Sequence, residues 1–368
     1  MTGGTVLVLA GDVMTGRGVD QILPAPGRPA LHETYAVDAR SYVDLAEGVN
    51  GPIPKPVDPT WPWGDALAVM DEAGPAVRVM NLETSVTTSD ELAPGKAVRY
   101  RMNPANIGCL SVAGVDVWAL ANNHVLDHGT PGLVETVHTM HHAGLRTAGA
   151  GVDEKEAWAP ATVERDGVRV LVISVGHVSS GVPPGWAAKE GRPGVALLRD
   201  LSDGSAAAVA ESMQEHARPG DVRIVSIHWG GNWGYDVPAA HRRFAQRLVE
   251  SGVHVVHGHS SHHPRPIEVH RGGLVLYGCG DLVNDYEGIG GYESFRDDLR
   301  LLYLARLSGR SGELESLSMV PLQARQMRLR HASGADTDWL RRNLDDACRR
   351  FGTSVCLTGE GSLTLEAG

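Results

Sequence analysis

The sequence predicts an α/β fold whose strands deliver polar side chains to one edge of a sheet. Two observations lead to this prediction: apolar, often β-branched runs alternate with helical patterns, and several runs stop at acids, amides or histidines. The central example is Val117–Ala121, an apolar run followed by Asn122-Asn123-His124, with Asp127 three residues later. Catalytic groups in open α/β sheets lie at the carboxyl ends of strands, so we expect chemistry here. The alternative is a polar helix cap followed by a surface histidine.

Composition excludes several classes of function. The chain has 368 residues and 42% hydrophobic content, and its net charge of −11 with no basic run argues against a nucleic-acid groove. The four cysteines lack CxxC spacing, which is typical of buried thiols in a reducing compartment. The first apolar run has only about six residues, too short for a signal peptide or a membrane span. We therefore expect a cytoplasmic protein with no membrane segment and no nucleic-acid partner.

Two strands in the first quarter of the chain end at carboxylates. Thr5–Ala10 is a buried, β-branched run that leads into Gly11-Asp12, and the glycine allows close backbone approach. Helix Gly64–Ala73 leads to strand Ala76–Met80, and that strand is followed by Glu83. Taken alone, the Asp12 stretch favours an ordinary βα turn with an Asp cap, and Glu83 is a second acid at the end of a strand.

A Pro-rich segment, residues 22–63, separates these strands. We interpret it as a structured insertion rather than a linker, because Tyr42, Trp61 and Trp63 give it side chains to bury. Long structured loops often form the walls of binding sites. Just before the insertion, Arg17 either anchors an anionic group of a substrate or is simply solvated.

The rest of the chain continues the alternation of helices and strands. Helix Gly132–Ala143 carries three histidines on a half-exposed face, and we do not assign them as ligands. Strand Arg223–Ile227 ends at His228, and a later strand ends in the histidine-rich stretch 257–263. The remaining predicted elements are a connection over Gly144–Gly151, a hairpin over Ala161–Val175, helix Ala206–His216, helix Ala239–Ser251, strand Val253–Val256, a hairpin of Pro266–His270 and Leu274–Gly278, strands Leu301–Leu307 and Leu314–Val320, and helix Asp336–Arg350.

We find no internal repeat and no clear domain boundary. The prediction is one domain over residues 1–330 that includes the Pro-rich insertion, with a C-terminal helix and tail over 331–368 packed on it. The final residues are weakly patterned.

Five strand ends in succession carry chemically active side chains. Their types are carboxylate, amide oxygen and imidazole, without thiolate, a mixture that suits Mn, Fe or Zn in a catalytic site better than a structural zinc. Two such ions share a bridging carboxylate, lower the pKa of water and polarise the bond to be broken. The sequence therefore predicts one or two divalent ions. The residues at the five ends are Asp12, Glu83, Asn123 with His124, His228, and the histidines of 257–263.

The order of these residues resembles that of calcineurin-like metallophosphoesterases. More closely, the chain is similar to the CapA family, named for capsule and poly-γ-glutamate synthesis. This resemblance implies a four-layer αββα sandwich, two mixed sheets flanked by helices. The matching stretches are GDVMTGRG (11–18), NLETSVT (81–87), AGVDVWALANNHVLDHG (113–129), VSIHWG (225–230) and GHSSHHPRPIEVHRGGLVLYGCGDLVND (258–285).

The resemblance also implies roles for individual residues. The implied metal ligands are Asp12, Glu83 as the bridging carboxylate, Asn123, His228, His259 and His262. His124 matches the proton donor, Asp127 would orient it, and Arg17 completes the predicted catalytic set. Met14 stands where metallophosphoesterases carry a histidine ligand, so one metal position has lost a ligand or gained a substitute.

The region around the closing histidines departs from the family pattern. Most members read HPH where this chain reads HSSHH, so Ser260 occupies a frequent ligand position and His263 is an alternative ligand. Asp281 stands where the commoner pattern has Asn. The residues that we assign to substrate binding are Arg101, Trp229, Asn232, His263 and Asp281.

Three functions remain open from the sequence. The first is a metal-dependent hydrolase that activates water against a phosphoester or an amide, including a γ-glutamyl amide. The second is a non-hydrolytic accessory of capsule or poly-γ-glutamate biosynthesis, as the family name implies. The third is a protein that keeps the fold and binds a small ligand in a Trp-lined cleft. Fold alone does not decide among them.

Overall fold

The computed structural model describes residues 4–359 and 361–367. Residues 1–3 of the predicted domain 1–330, and residues 360 and 368 of the predicted C-terminal segment 331–368, lie outside the described residues. The strands are β1 (Thr5–Val13), β2 (Val77–Leu82), β3 (Ser85–Val86), β4 (Arg101–Met102), β5 (Val117–Ala119), β6 (Arg146–Ala148), β7 (Ala150–Gly151), β8 (Ala161–Arg165), β9 (Val168–His177), β10 (Gly194–Val195), β11 (Leu197–Leu198), β12 (Val222–His228), β13 (Val255–His259), β14 (Ile267–His270), β15 (Gly273–Leu276), β16 (Asp281–Val283), β17 (Leu299–Leu307), β18 (Leu314–Ala324), β19 (Leu329–His331), β20 (Thr353–Leu357) and β21 (Leu363–Ala367). The α-helices are α1 (Arg17–Ile22), α2 (Arg40–Asn50), α3 (Ala66–Glu72), α4 (Gly108–Ser111), α5 (Gly129–His142), α6 (Glu154–Trp158), α7 (Asp203–Gln214), α8 (Ala239–Glu250) and α9 (Gly334–Arg349).

Two large mixed sheets form the centre of the molecule. The first has ten strands in the order β20-β21-β18-β17-β1-β2-β5-β6, with β16 beside β1 and β19 beside β18. The second has seven strands in the order β11-β9-β12-β13-β15-β14, with β8 beside β9. Each contains a parallel block, β1-β2-β5-β6 in the first and β9-β12-β13-β15 in the second. The carboxyl ends of these blocks carry the predicted site residues.

The alternation of side chains along the strands produces the layers. In β1, Leu7 and Leu9 face the second sheet, whereas Val8 and Ala10 face the helices of the first sheet. In β9, Val170 and Val172 face the first sheet, whereas Leu171, Ile173 and Val175 pack with residues of α7 and α8. Successive side chains of a strand point to opposite faces, so apolar residues on both faces require cover on both. The result is the predicted four-layer sandwich.

The longer predicted strands and helices are present, but several elements were not predicted, and three segments show this. The Pro-rich insertion contains helix α2, whose Tyr42, Val43 and Ala46 are buried. Residues 146–151, predicted as a connection, form β6 and β7. The weakly patterned tail forms β20 and β21, and β21 pairs with β18 to extend the first sheet. All the missed strands have five residues or fewer, too short for a clear alternation signal.

Within the described part of the chain, no helix has the length and apolar character that crossing a bilayer requires.

Candidate metal centre

A bulge in β1 places Asp12 at the centre of the site. The pairing of β1 with β2 shifts register between Ala10 and Asp12, so Gly11 is the extra residue, and such a bulge re-aims the next side chain. A Cβ on Gly11 would lie 1.8 Å from the carbonyl oxygen of Gly280, so only glycine fits. The Asp12 backbone N–H donates to that same carbonyl at 3.0 Å.

Asparagines orient the Asp12 carboxylate, which is fully buried. Asn81 Nδ2 donates to Oδ1 at 2.7 Å, and the backbone N–H of Ser260 donates to Oδ2 at 3.1 Å. Asn122 Nδ2 in turn donates to Asn81 Oδ1 at 3.0 Å. Burial, followed by repulsion from Asp281, raises the pKa of Asp12 to about 7. A nearby cation would favour the charged form of this carboxylate.

Two histidines of the second sheet face Asp12. The Nδ1 atoms of His228 and His259 are 2.8 Å apart, and His259 Nδ1 is 3.8 Å from Asp12 Oδ1. Ligand atoms of these three residues all lie within 4.8 Å of one another. Ser226 Oγ is 2.9 Å from His259 Nε2 and fixes the ring. Burial and the neighbouring imidazoles lower the pKa of both histidines well below 6.5, so both are neutral, the state that binds metals.

A second cluster lies on the other side of Asp12. The ligand atoms of Asp12, His262 and Asp281 also lie within 4.8 Å of one another. His262 Nδ1 is 2.9 Å from Asp281 Oδ1, and His262 Nε2 is 3.0 Å from Asn232 Nδ2. Burial alone would lower the pKa of His262, but the Asp281 carboxylate outweighs it and the pKa is raised. Asp12 is therefore shared by two groups of potential ligands.

Glu83 and Asn123 complete the neighbourhood of His228. Glu83 Oε1 is 3.7 Å from His124 Nε2 and 3.8 Å from His228 Nε2, and Asn123 Oδ1 is 3.1 Å from His228 Nε2. Glu83 Oε2 is buried and has no hydrogen-bond partner among the described residues. Burial, followed by repulsion from Asp12, raises the pKa of Glu83 well above its usual value.

His124 is held by Asp127. His124 Nδ1 lies 2.6 Å from Asp127 Oδ2, which also accepts a hydrogen bond from the Tyr100 backbone N–H at 2.9 Å. Lys96 Nζ lies 3.3 Å from Asp127 Oδ1 and donates to the carbonyl of Asn123. Burial lowers the pKa of His124 to about 4. With Nδ1 bound to the carboxylate, Nε2 is the atom left to face Glu83 and the metal ligands.

The donor set fits divalent cations. Neutral imidazoles, an amide oxygen and buried carboxylates are ligands for Mn, Fe or Zn, and a buried carboxylate oxygen without a partner is costly unless an ion or water satisfies it. Glu83 Oε2 is such an atom. The structure thus brings all six predicted metal ligands together, although the predicted roles themselves stay predictions.

The structure buries Arg17 in a cluster of ion pairs. The residue is 3% exposed; Nε and Nη2 donate to Asp285, and Nη1 donates to Glu33 and to the Tyr42 hydroxyl. The sequence could not show that two acids, one of them 268 positions away, neutralise this arginine. We therefore replace its predicted anion-binding role with a structural one.

The predicted substrate-binding residues separate into two groups. Trp229 is buried, stacks on His241 at 4.7 Å and donates from Nε1 to the Tyr277 carbonyl, so it belongs to the core behind the site. Arg101 donates to the Ser89 carbonyl and to Asp90, and among the described residues it forms no hydrogen bond with the candidate metal ligands. For these two residues the structure does not support the sequence prediction, because apolar neighbours and a local acid take up the side chains.

The other three lie at the site. Asn232 and Asp281 contact His262, as described above. His263 is buried among aromatic rings, with Tyr235 at 4.6 Å and Phe295 at 4.7 Å, and its Nε2 has no hydrogen-bond partner among the described residues. Burial lowers its pKa to about 4. His263 therefore faces an aromatic wall rather than the Asp12 carboxylate.

Sequence reasoning missed several residues that shape the site. Asn81 and Asn122 directly flank strand ends, so their position was a usable signal. Lys96 lies in a loop with no motif, and nothing in the sequence points to it. The hydroxyls of Tyr100 and Tyr286 form a hydrogen bond of 2.7 Å with each other. The Tyr100 ring packs on His124, and the Tyr286 ring packs on His262.

The fold is a two-sheet α/β sandwich, and carboxylate, amide and imidazole groups meet at the carboxyl ends of its parallel strands, which defines the class as an α/β sandwich protein with a candidate metal centre. The chain belongs to the family described as bacterial capsule synthesis protein PGA_cap, whose model matches residues 6–286. This agrees with the CapA resemblance.

Individual relatives agree with this assignment. A probable polyglutamine synthesis accessory protein of Mycobacterium tuberculosis is 53% identical over 354 residues, which cover 95% of this chain and 92% of the relative. The PGA biosynthesis protein CapA of Bacillus subtilis is 26% identical over 231 residues, covering 62% of this chain and 57% of the relative. Among solved structures, a 5'-nucleotidase precursor from Thermus thermophilus is similar with a TM-score of 0.48 and 14% identity, over 87% of this chain and 54% of that chain.

Proposed function

We propose that the protein is a metal-dependent hydrolase that acts on a phosphoester or an amide. One observation supports this most strongly: the Asp12 carboxylate belongs to two clusters of potential ligands at once, Asp12–His228–His259 and Asp12–His262–Asp281. A purely structural polar core does not require buried acids and neutral histidines around a carboxylate oxygen, Glu83 Oε2, that has no hydrogen-bond partner within the described part of the chain.

The residues that would hold the cations are those predicted from the sequence, namely Asp12, Glu83, Asn123, His228, His259 and His262. A bound divalent cation supplies Lewis acidity: it lowers the pKa of water and polarises the bond under attack. Asn81 donates to Asp12 and is itself held by Asn122, so the Asp12 oxygens stay aimed at this region. This pre-organisation avoids rearrangement of the ligands during the reaction.

His124 is the residue that would move a proton. Asp127 binds Nδ1 at 2.6 Å, so the proton exchanged with substrate resides on Nε2. Lys96 keeps Asp127 ionised and Tyr100 packs on the imidazole at 4.4 Å, which together hold the ring in one orientation. Because the resting ring is neutral, Nε2 would first take a proton from the attacking water and would then donate that proton to the leaving group.

The substrate class rests partly on the relatives. The Mycobacterium tuberculosis relative is named as a polyglutamine synthesis accessory protein and the Bacillus subtilis one as a PGA biosynthesis protein. For this chain we propose a γ-glutamyl amide as the leading amide substrate. Aromatic rings of Trp233, Tyr292 and Phe295, close to His263, would form one wall for such a chain.

The test is turnover of two chromogenic substrates by Mn²⁺-loaded protein, bis(p-nitrophenyl) phosphate and γ-glutamyl-p-nitroanilide. We expect Mn-dependent release of product from one of them, and a fall of about 10²-fold or more in kcat for His124→Asn. The matched control is His138→Asn, on the exposed face of α5, which should leave kcat unchanged.

Absence of turnover with both substrates, in protein shown to contain Mn²⁺, would contradict hydrolysis. The alternative is then a non-hydrolytic accessory of capsule or poly-γ-glutamate biosynthesis, supported by the names of the relatives. Binding of a γ-glutamyl oligomer without cleavage, measured by calorimetry, would favour that alternative.

A further inference from the structure

We infer that Asp281 is a metal ligand, and that it supplies the donor that Met14 does not. The inference rests on the proposed use of divalent cations and concerns the position beside Asp12 and His262. The sequence suggested a substrate-binding role for Asp281, but its neighbours in the structure indicate a different one.

The sheet itself brings the two acids together. Strands β1 and β16 are parallel neighbours, and Asp12 and Asp281 are partners in their register. With His262, their ligand atoms lie within 4.8 Å of one another, and all three residues are buried. Two carboxylates and one imidazole on a common centre form a mixed oxygen and nitrogen donor set for a divalent cation.

Both oxygens of Asp281 are held in place. Oδ1 lies 2.9 Å from His262 Nδ1, and Oδ2 accepts a hydrogen bond from Asn284 Nδ2 at 2.7 Å. The Asn284 side chain is fixed in turn, because Arg300 Nη2 donates to its Oδ1 at 2.9 Å. Outer hydrogen bonds of this kind orient metal-ligating carboxylates.

A salt bridge between Asp281 and His262 does not account for the whole arrangement. Asp12, Glu83 and Asp281 are three buried acids near one another, and none forms an ion pair with Lys or Arg among the described residues. One protonated histidine offsets at most one of three carboxylates. Divalent cations would remove the remaining repulsion.

Met14 explains why a substitute is needed. It stands two residues after Asp12, is buried, and its backbone N–H donates to the Val283 carbonyl at 2.7 Å. A thioether is a soft donor and a poor ligand for Mn²⁺ or Mg²⁺. Strand β16 lies beside this part of β1, so Asp281 can provide a hard oxygen donor from the neighbouring strand.

The test is Mn²⁺ binding to chelator-treated protein, measured by titration calorimetry and by elemental analysis. We expect two equivalents for the wild type and one for Asp281→Asn. The double variant Asp281→Asn/His262→Asn should also bind one, because both changes affect the same position. Asp281→Asn/His228→Asn should bind none. The control Asp116→Asn, a buried acid at the amino end of β5, should keep two.

The outcomes separate this inference from the proposed function. Two equivalents retained by folded Asp281→Asn, checked by circular dichroism, would overturn the ligand role and leave the hydrolase proposal standing. A wild type that binds no Mn²⁺ would overturn both. If Asp281→Asn does not fold, His262→Asn provides the count: loss of one equivalent supports the second position, and loss of none contradicts it.

Discussion

Replacement of Arg17 by methionine tests whether the buried ion-pair cluster stabilises the fold. The Arg17 guanidinium donates to Asp285 at 2.5 and 3.1 Å, to Glu33 at 3.2 Å and to the Tyr42 hydroxyl at 3.0 Å. It also lies 3.9 Å from the centre of the Tyr42 ring. Arg17→Met keeps the apolar stem but leaves two carboxylates buried without their cation.

The expected loss is large because the pair is almost fully buried. Breaking a buried ion pair by removing one partner costs about 3–5 kcal/mol. Unfolding entropy of about 2.1 cal/mol/K per residue gives about 0.8 kcal/mol/K for a chain of this length, so Tm should fall by about 4–6 °C. Arg28→Met is the control, since the Arg28 side chain is 76% exposed in its pair with Asp90 and should change Tm by less than about 1 °C.

Differential scanning calorimetry of the three proteins measures both shifts. A Tm for Arg17→Met within 1 °C of the wild type would refute the structural role. If KM for an anionic substrate then rose while Tm stayed constant, the original prediction of an anion-binding Arg17 would be correct instead.

Three further predictions concern the site and its support. Asp127→Asn should lower kcat about 10²-fold with unchanged Mn²⁺ content, because it misorients His124; an unchanged kcat would contradict the proton-transfer role. Gly11→Ala should lower the free energy of unfolding in urea by about 1–3 kcal/mol, because its Cβ would meet the Gly280 carbonyl; an unchanged midpoint would show that the bulge is not tight. Burial lowers the pKa of His241 to about 4, so the unfolded chain takes up a proton between pH 6.5 and 4 that the folded chain does not, and stability falls as pH drops through that range. His241→Phe should remove about 1–3 kcal/mol of that fall in urea titrations at pH 7 and pH 4; a fall equal to that of the wild type would contradict the depressed pKa.

The regular part of the fold was predictable because its signals are local. A run such as Val170–Val175 is apolar on both faces, and a strand of that kind must be covered on both sides. The tail strands β20 and β21 were not predictable, because their stability comes from pairing with β18 rather than from their own pattern. Helix α2, in the Pro-rich segment, was not predicted for a similar reason. Its buried face depends on the neighbours on which it packs, and not on its own pattern.

The convergence of the candidate ligands was predictable for a different reason, namely that parallel strands bring their carboxyl ends to one edge. The order of the strands alone predicts that Asp12, Glu83 and His228 lie close together, without any knowledge of their distances. It could not show which acid neutralises Arg17, because the partner Asp285 is remote in sequence. It also could not distinguish Trp229, which continues a strand into the core, from a residue of the cleft.

Anomalous diffraction at the manganese edge, from crystals grown with Mn²⁺, tests the central claim most directly. The account predicts two peaks on either side of Asp12, one bounded by Glu83, Asn123, His228 and His259, the other by His262 and Asp281. No peak within coordination distance of Asp12, or peaks only at surface carboxylates, would contradict it.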